Sequence, residues 1–249
     1  MGKTLQRPIQ RLINRPSPSP QSAGAPASLV HGTPGGPIEG VHASRDLPSP
    51  ITVSVICPSY QRHHRHAHVL QMFESQDYPH KDFWLLDDSD APSPTFKETK
   101  DPNVHYVHSG KRTPIGPARN RLIAMSAGSV IAHFDDDDWY SPKYLSSMVG
   151  FLTGRNADLV KLAVWKERKQ NGQRSLYDGR KQSHADLWGW GFSYVYRRYV
   201  ATRLSFPVEG VEDYPFVCGI QKARMKTELI FNGSELAEHV WHGDNSTKW

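Results

Sequence analysis

The stretch SVIAHFDDDDWY, Ser129 to Tyr140, joins a short apolar run to four consecutive aspartates. An apolar run of this length reads as a strand buried on both faces of a parallel sheet. Adjacent carboxylates repel by about 1 kcal/mol at roughly 4 Å in water, and by more where water is scarce. Four of them at the end of a buried strand therefore need a counter-charge or a function.

The same texture recurs on both sides of this stretch. ITVSVIC, from Ile51, is a β-branched run stopped by Pro58. FWLLDDSD is a second apolar strand ending in acids, NVHYVH a third candidate, and ADLVKLAVW a fifth after SVIAHF. Helical signals fall between them. AHVLQMFESQ carries Val69, Leu70, Met72 and Phe73 on one stripe. TPIGPARNRLIAMSAG predicts a helix with Pro117 in its first turn and Gly128 at its exit. SPKYLSSMVGFLTG predicts another, capped by Ser141 with Pro142 at the first position. PSYQRHHRH reads as a loop. Alternating strands and helices imply an open, mostly parallel α/β sheet flanked by helices, Rossmann-like in layout. Such folds bind ligands outside the carboxyl ends of their strands. PSYQR, DDSD and DDDD all fall there, so three loops distant in sequence are expected to line one crevice.

Composition separates a tail from this domain. The first fifty of the 249 residues hold nine of the nineteen prolines and no acid before Glu39. They read as a disordered basic tail, residues 1–50, ahead of a catalytic domain at 51–249. Leu5, Ile9, Leu12 and Ile13 among arginines give an alternative: a short amphipathic helix, suited to peripheral contact with an anionic membrane or to a transit peptide. The tail carries +3, leaving the remaining 199 residues with 25 basic and 23 acidic groups. A domain so near neutrality argues against nucleic acid as its partner. No run of 18 apolar residues exists to span a membrane. Cys57 and Cys218 lie in apolar contexts and read as reduced and buried, as in a cytoplasmic protein.

The acids suggest a metal. Along an extended segment Asp135 and Asp137 point one way, Asp136 and Asp138 the other. A D-x-D pair can place one carboxylate on Mg²⁺ or Mn²⁺, whose other positions go to water and substrate phosphates. The bland alternative is a solvated acidic turn, or acids favoured by a helix dipole. A calcium loop of the EF-hand kind lacks its glycine and distant glutamate here. HHRHAH, residues 63–68, has no standard zinc spacing and reads as a basic loop.

Taken in order, VSVICPSYQR, QDYPHKDFWLLDDSD, GPARNRLIAMSAGSVIAHFDDDDWYSPKYL and GVEDYPF resemble glycosyltransferase family 2, inverting enzymes of the GT-A fold. The resemblance covers about 51–249 and implies roles. Pro58, Ser59, Tyr60 and Arg62 would cradle the base and ribose. Asp87, with Asp88 beside it, would hold the base, commonly uracil; Ser89 and Asp90 stand where the family usually has glycine. Arg119 and Asn120 would face the nucleotide, and Asp135 and Asp136 the ribose or sugar. Asp137 would be the main ligand of Mn²⁺ or Mg²⁺, supported by Asp138. Asp213 would be the general base, with Glu212 orienting it or the acceptor. A histidine near the end, His242 in preference to His239, would complete the metal site. Ser246 and Thr247 would meet the diphosphate. Trp188 and Trp190, in DLWGWGFSYVYRR (Asp186 to Arg198), would stack on a sugar, or else the stretch is a buried strand with aromatic packing. The resemblance implies transfer of a sugar from a nucleotide donor, UDP-linked, to the hydroxyl of a saccharide, lipid-linked or other acceptor. The rival readings are a nucleotidyltransferase, although PSYQRHHRH lacks the glycine-rich loop of that class, and a non-catalytic nucleotide- or sugar-binding module.

Overall fold

The computed structural model describes residues 45–242 apart from 98 and 209. The amphipathic stretch of the tail, and Ser246 and Thr247, lie outside the described residues. Chain order runs β1 (Val53–Ser59), α1 (His63–Glu74), β2 (Lys81–Asp87), α2 (Pro94–Lys97), β3 (Val104–His108), α3 (Ile115–Met125) and β4 (Val130–His133). It continues with β5 (Trp139–Tyr140), α4 (Tyr144–Gly154), β6 (Leu159–Leu162), β7 (Val164–Arg168), β8 (Arg174–Asp178) and α5 (His184–Trp188). The last elements are β9 (Val195–Arg197), α6 (Arg198–Ala201), α7 (Asp213–Lys222), β10 (Thr227–Ile230) and β11 (Ala237–Val240).

The large sheet has seven strands in the order β10-β6-β9-β4-β1-β2-β3. β1 runs parallel to β2 and β4, and β2 parallel to β3. Only β9 is antiparallel, to β4 and β6. This is the expected open, mostly parallel α/β sheet. Alternation along β1 sends Val53, Val55 and Cys57 into one core with α1 and α4, and Ile56 into a second with α3 and α7. Helices therefore cover both faces. Register sets the strand ends side by side: Ser59 pairs with Asp87, Asp87 with His108, and Ile56 with His133. A second sheet, β5-β11-β7-β8, stands beside the first.

Several local expectations give way. ADLVKLAVW is not one strand; it breaks at Ala163 and serves both sheets, because Ala163 bonds Ile230 on one side and Gly179 on the other. PSYQRHHRH is only partly loop: α1 already starts at His63, after Gln61 takes a left-handed φ of 54°. Ser141 does not cap α4, which starts at Tyr144 after Lys143. α3 stops at Met125, three residues before Gly128. Gly128 instead packs on β1, where a Cβ would lie 2.5 Å from the Ser54 backbone nitrogen. The order at the front edge begins before Ile51, since Leu47 packs on the core and Arg45 pairs with Asp158 at 2.7 Å. Cys57 is buried and Cys218 half-buried, both as free thiols. Among the described residues no helix is long and apolar enough to cross a membrane.

Candidate active site

The four aspartates close a tight turn between β4 and β5, not an extended segment. The expected two-and-two alternation is therefore replaced. Asp135, Asp137 and Asp138 converge, with one oxygen of each within 4.8 Å of the others. Asp136 turns toward β1, where the Ser59 hydroxyl donates to it at 2.5 Å. Arg62 is the local counter-charge: its Nη1 donates to Asp136 Oδ1 at 2.7 Å and Asp137 Oδ2 at 2.6 Å. Burial pushes the Asp136 carboxyl up to about 6 against the pull of Arg62. Burial also works to raise Asp137, but the His242 hydrogen bond and Arg62 outweigh it and hold Asp137 below the usual carboxylate range. Asp138 is fully buried and pushed up to about 6 by burial, partly offset by His239.

His66, from the tract first read as a basic loop, lies under this turn. Its Nε2 is 2.8 Å from Ser59 Oγ. The single Ser59 hydroxyl proton goes to Asp136, so His66 must donate through Nε2. Burial pulls this histidine down to about 4 and keeps it neutral, which that tautomer requires.

Arg119 organises the opposite wall. It is almost fully buried on α3, and its Nη1 donates to Glu212 Oε1 at 2.8 Å and Asp213 Oδ1 at 2.5 Å. Its Nη2 reaches Asp135 Oδ1 at 3.4 Å. One guanidinium thus links the acidic turn to the Glu212-Asp213 pair at the start of α7. Burial, resisted by Arg119 and reinforced by Glu212 and Asp135, pushes the Asp213 carboxyl up to about 7. Its side chain keeps 12% exposure.

The other expected residues divide. Tyr60 stands at the end of β1 with Arg112 over its ring, and Pro58 sits one residue inside the strand end. Asp87 is fully buried and bonded to its own surroundings: Ser89 N, Tyr106 Oη and His63 Nε2 lie at 3.0, 2.7 and 3.0 Å. Asp88 accepts from Ser109 Oγ and from Thr113 N. These two acids shape the loops beside the crevice. Asn120 exchanges two 2.9 Å hydrogen bonds with the Phe206 backbone, tying α3 to the loop before α7. Trp188 is buried in the core beside α7, whereas Trp190 is half-buried with edge contacts to His239 and Trp241. Both C-terminal histidines reach the acids: His242 Nε2 lies 2.8 Å from Asp137 Oδ2, and His239 Nδ1 2.8 Å from Asp138 Oδ1. Sequence reasoning missed Gly191, whose N–H donates to Asp213 Oδ2 at 2.8 Å, and His133 behind it. The doubled W-G of residues 188–191 was the available signal, since a glycine between aromatics marks a close backbone approach.

The donor set fits a hard or borderline divalent cation. Three converging carboxylates and a nearby imidazole are ligands of Mn²⁺ and Mg²⁺ sites. Asp138 Oδ2 is buried without a hydrogen-bond partner in the structure, an acceptor left open beside Asp137.

An open, mostly parallel, helix-flanked sheet with an acidic turn at the carboxyl end of a central strand is the layout of the GT-A fold. Comparison with known proteins gives the family: the model for glycosyl transferase family 2 matches residues 54–210, and the chain belongs to that family. Glu212, Asp213 and both C-terminal histidines lie beyond the matched span. The chain is 24% identical over 98 residues to WcaA of Escherichia coli strain K12, named as a candidate glycosyl transferase of colanic acid biosynthesis. That match covers 38% of this chain and 35% of WcaA. Staphylococcus aureus TarS 1–349, solved with UDP-GlcNAc, superposes with a TM-score of 0.63 at 18% identity, over 80% of this chain and 62% of that one. The mannosyltransferase PcManGT of Pyrobaculum calidifontis, solved with GDP-Man and Mn²⁺, gives 0.62 at 17% identity, over 78% and 58%. The chain thus spans about a third of the curated relative and under two thirds of these structures. At such identities the superpositions speak for the fold.

Proposed function

We propose that the chain is an inverting glycosyltransferase that moves a sugar from a nucleotide donor, UDP-linked, to an acceptor hydroxyl. The observation that carries this is the Arg119 bridge, which sets a carboxylate of near-neutral pKa across from the acidic turn. Asp213 takes the proton of the attacking hydroxyl as the new glycosidic bond forms on the face opposite the leaving diphosphate. A carboxyl near 7 is ionised often enough to accept the proton and basic enough to pull it. Arg119 steadies both Asp213 and Glu212, and Glu212 is placed to orient the acceptor. On the donor side Tyr60 and Arg112 border the nucleotide, and Arg62 lies within reach of the diphosphate. Asp137 is the first ligand for Mn²⁺ or Mg²⁺, with Asp135, Asp138 and His242 around it. A bound cation there supplies Lewis-acid stabilisation to the departing nucleoside diphosphate. The acceptor is a saccharide or another hydroxyl compound.

Calorimetric titration of UDP with and without Mn²⁺, alongside Asp137→Ala, tests the donor side. Metal-dependent binding lost in the variant supports the reading, and a screen of UDP-sugars with acceptor saccharides then follows transfer. Binding of GDP in place of UDP would move the donor to a GDP-sugar. Folded protein that binds no nucleoside diphosphate under either condition would overturn it.

A further inference from the structure

Gly191 starts a short 3₁₀ turn, Gly191–Ser193, in the stretch WGWGFS. Its N–H donates to Asp213 Oδ2 at 2.8 Å. A Cβ placed on it would overlap Asp213 Oδ1 and Cγ. Its φ is not in the left-handed region, so glycine is required here for space and not for backbone conformation. Only a hydrogen lets the carboxylate lie against this backbone.

The turn is held from behind. The Gly191 carbonyl lies 3.0 Å from His133 Nδ1 and accepts the Tyr194 N–H at 3.1 Å. A carbonyl can only accept, so His133 carries its proton on Nδ1, and its bare Nε2 accepts from the Tyr196 hydroxyl at 3.2 Å. The next carbonyl, of Phe192, accepts the Tyr140 hydroxyl at 2.9 Å, and the same hydroxyl accepts the Asp135 N–H at 2.9 Å. His133 precedes the acidic turn and Tyr140 follows it. Both ends of the acidic turn are therefore fastened to the Gly191–Phe192 segment, whose Gly191 N–H holds Asp213.

We propose that the Gly191–Phe192 segment is the spacer that fixes Asp213 at its working distance from the acidic turn, with Gly191 and His133 as positioning residues. This rests on the reading of Asp213 as the general base. A merely structural role would lower stability and every ligand affinity together. A positioning role lowers turnover far more than nucleotide affinity: the segment meets the acidic turn through His133 and through Tyr140 at the Asp135 N–H, while the Asp136 and Asp137 carboxylates are held by Ser59, Arg62 and His242.

The test compares full-length wild type with Gly191→Ala, His133→Phe and His133→Asn. Phenylalanine keeps the ring and loses both hydrogen bonds; asparagine can return an N–H to the Gly191 carbonyl. Gly191→Ala is expected to lower kcat by about 100-fold or more, the size of effect that a 1 Å misplacement produces. Its Kd for UDP with Mn²⁺ should stay within about threefold, a shift under 1 kcal/mol. His133→Phe should lower kcat and His133→Asn recover most of it, which keeps the test alive if Gly191→Ala does not fold. Gly191→Ala with near wild-type kcat, equal losses of kcat and nucleotide affinity, or no recovery in His133→Asn would each overturn the proposal. Should wild type transfer no sugar from any donor, the functional reading fails and the spacer is judged separately. The Asp213 carboxyl is then followed by carbon-13 NMR, assigned with Asp213→Asn. A midpoint moved from about 7 in Gly191→Ala supports the spacer; an unmoved one overturns it.

Discussion

Asp213 carries a pH signature that its neighbours impose. Burial outweighs Arg119, so its folded pKa is raised to about 7, and a general base at Asp213, as proposed, is protonated and idle at acid pH. Transfer should rise with pH through about 7 and level off above it, seen in kcat/KM profiles with a saturating cation. Asp213→Asn should remove about 10²- to 10⁴-fold of the rate at every pH, the usual contribution of a general base, and leave nucleotide binding nearly unchanged. A profile with no acid limb would place the base elsewhere. The two histidines separate in the same residue-by-residue way. His242 contacts Asp137 and His239 contacts Asp138. His242→Ala should weaken Mn²⁺-dependent UDP binding by about 10- to 100-fold, the range for groups that ligate or orient ligands, and His239→Ala by less. The reverse order in calorimetry would assign His239 to the cation. Much of this constellation was legible in the sequence, because DDDD and ED are dense, unusual and placed at element ends. What was not legible is the partner of each oxygen. Arg119 reads as a nucleotide contact and bridges carboxylates; Asp87 reads as a base contact and is bonded to Ser89, Tyr106 and His63.

At the scale of elements, the parallel strands were readable because each is a β-branched run ending at a polar loop. β9 was readable only as a buried strand somewhere in the aromatic stretch Asp186–Arg198; its three residues and its antiparallel pairing to β4 and β6 are decided by tertiary contact. The small sheet was equally hidden, because ADLVKLAVW has no turn residue where the chain changes sheets. Helix ends were misread for a related reason: Ser141 and Gly128 have the right chemistry for caps but are used by tertiary contacts. Arg198 does the work expected of a C-cap for α3. Buried in the core, it donates through Nη1 to Ile123 O at 2.7 Å, through Nη2 to Ser126 Oγ at 2.8 Å, and through Nε to Gly128 O. These groups lie between α3 and β4, the strand that delivers the acidic turn. Arg198→Leu strands the Gly128 carbonyl and takes one partner each from Ile123 O and Ser126 Oγ, which keep their bond to each other; an unpaired buried carbonyl costs about 1–3 kcal/mol. The expected loss is about 2 kcal/mol, a Tm lower by roughly 4–8 °C for a domain of this size, read by thermal denaturation. A change under about 1 kcal/mol would mean that water replaces the guanidinium.

The whole molecule brings its chemistry together from three places: the end of β1, the turn between β4 and β5, and the start of α7 with the strand β11 leading to His242. Such a site is held by charge balance across loops more than by packing, since Asp136, Asp137, Asp138 and Asp213 are all largely buried while Arg62 and Arg119 supply the principal fixed cations between them. A divalent cation and a nucleoside diphosphate that bind only this assembled arrangement must stabilise the fold by mass action. At a hundredfold excess over Kd the gain is about 2.7 kcal/mol. For a domain of this size that is a rise in Tm of roughly 5–10 °C. Calorimetric melts should show the rise with UDP and Mn²⁺ together, a smaller one with either alone, and reversal by a chelator. Asp137→Ala should melt near the wild type without ligands and gain little from them, because the cation loses its first ligand while Arg62 keeps Asp136 as a partner. A ligand-induced rise that survives both the chelator and Asp137→Ala would show that the nucleotide is held by Tyr60, Arg112 and the loops around Asp87 alone. The four aspartates would then be a self-compensated turn whose counter-ions are Arg62 and the two histidines.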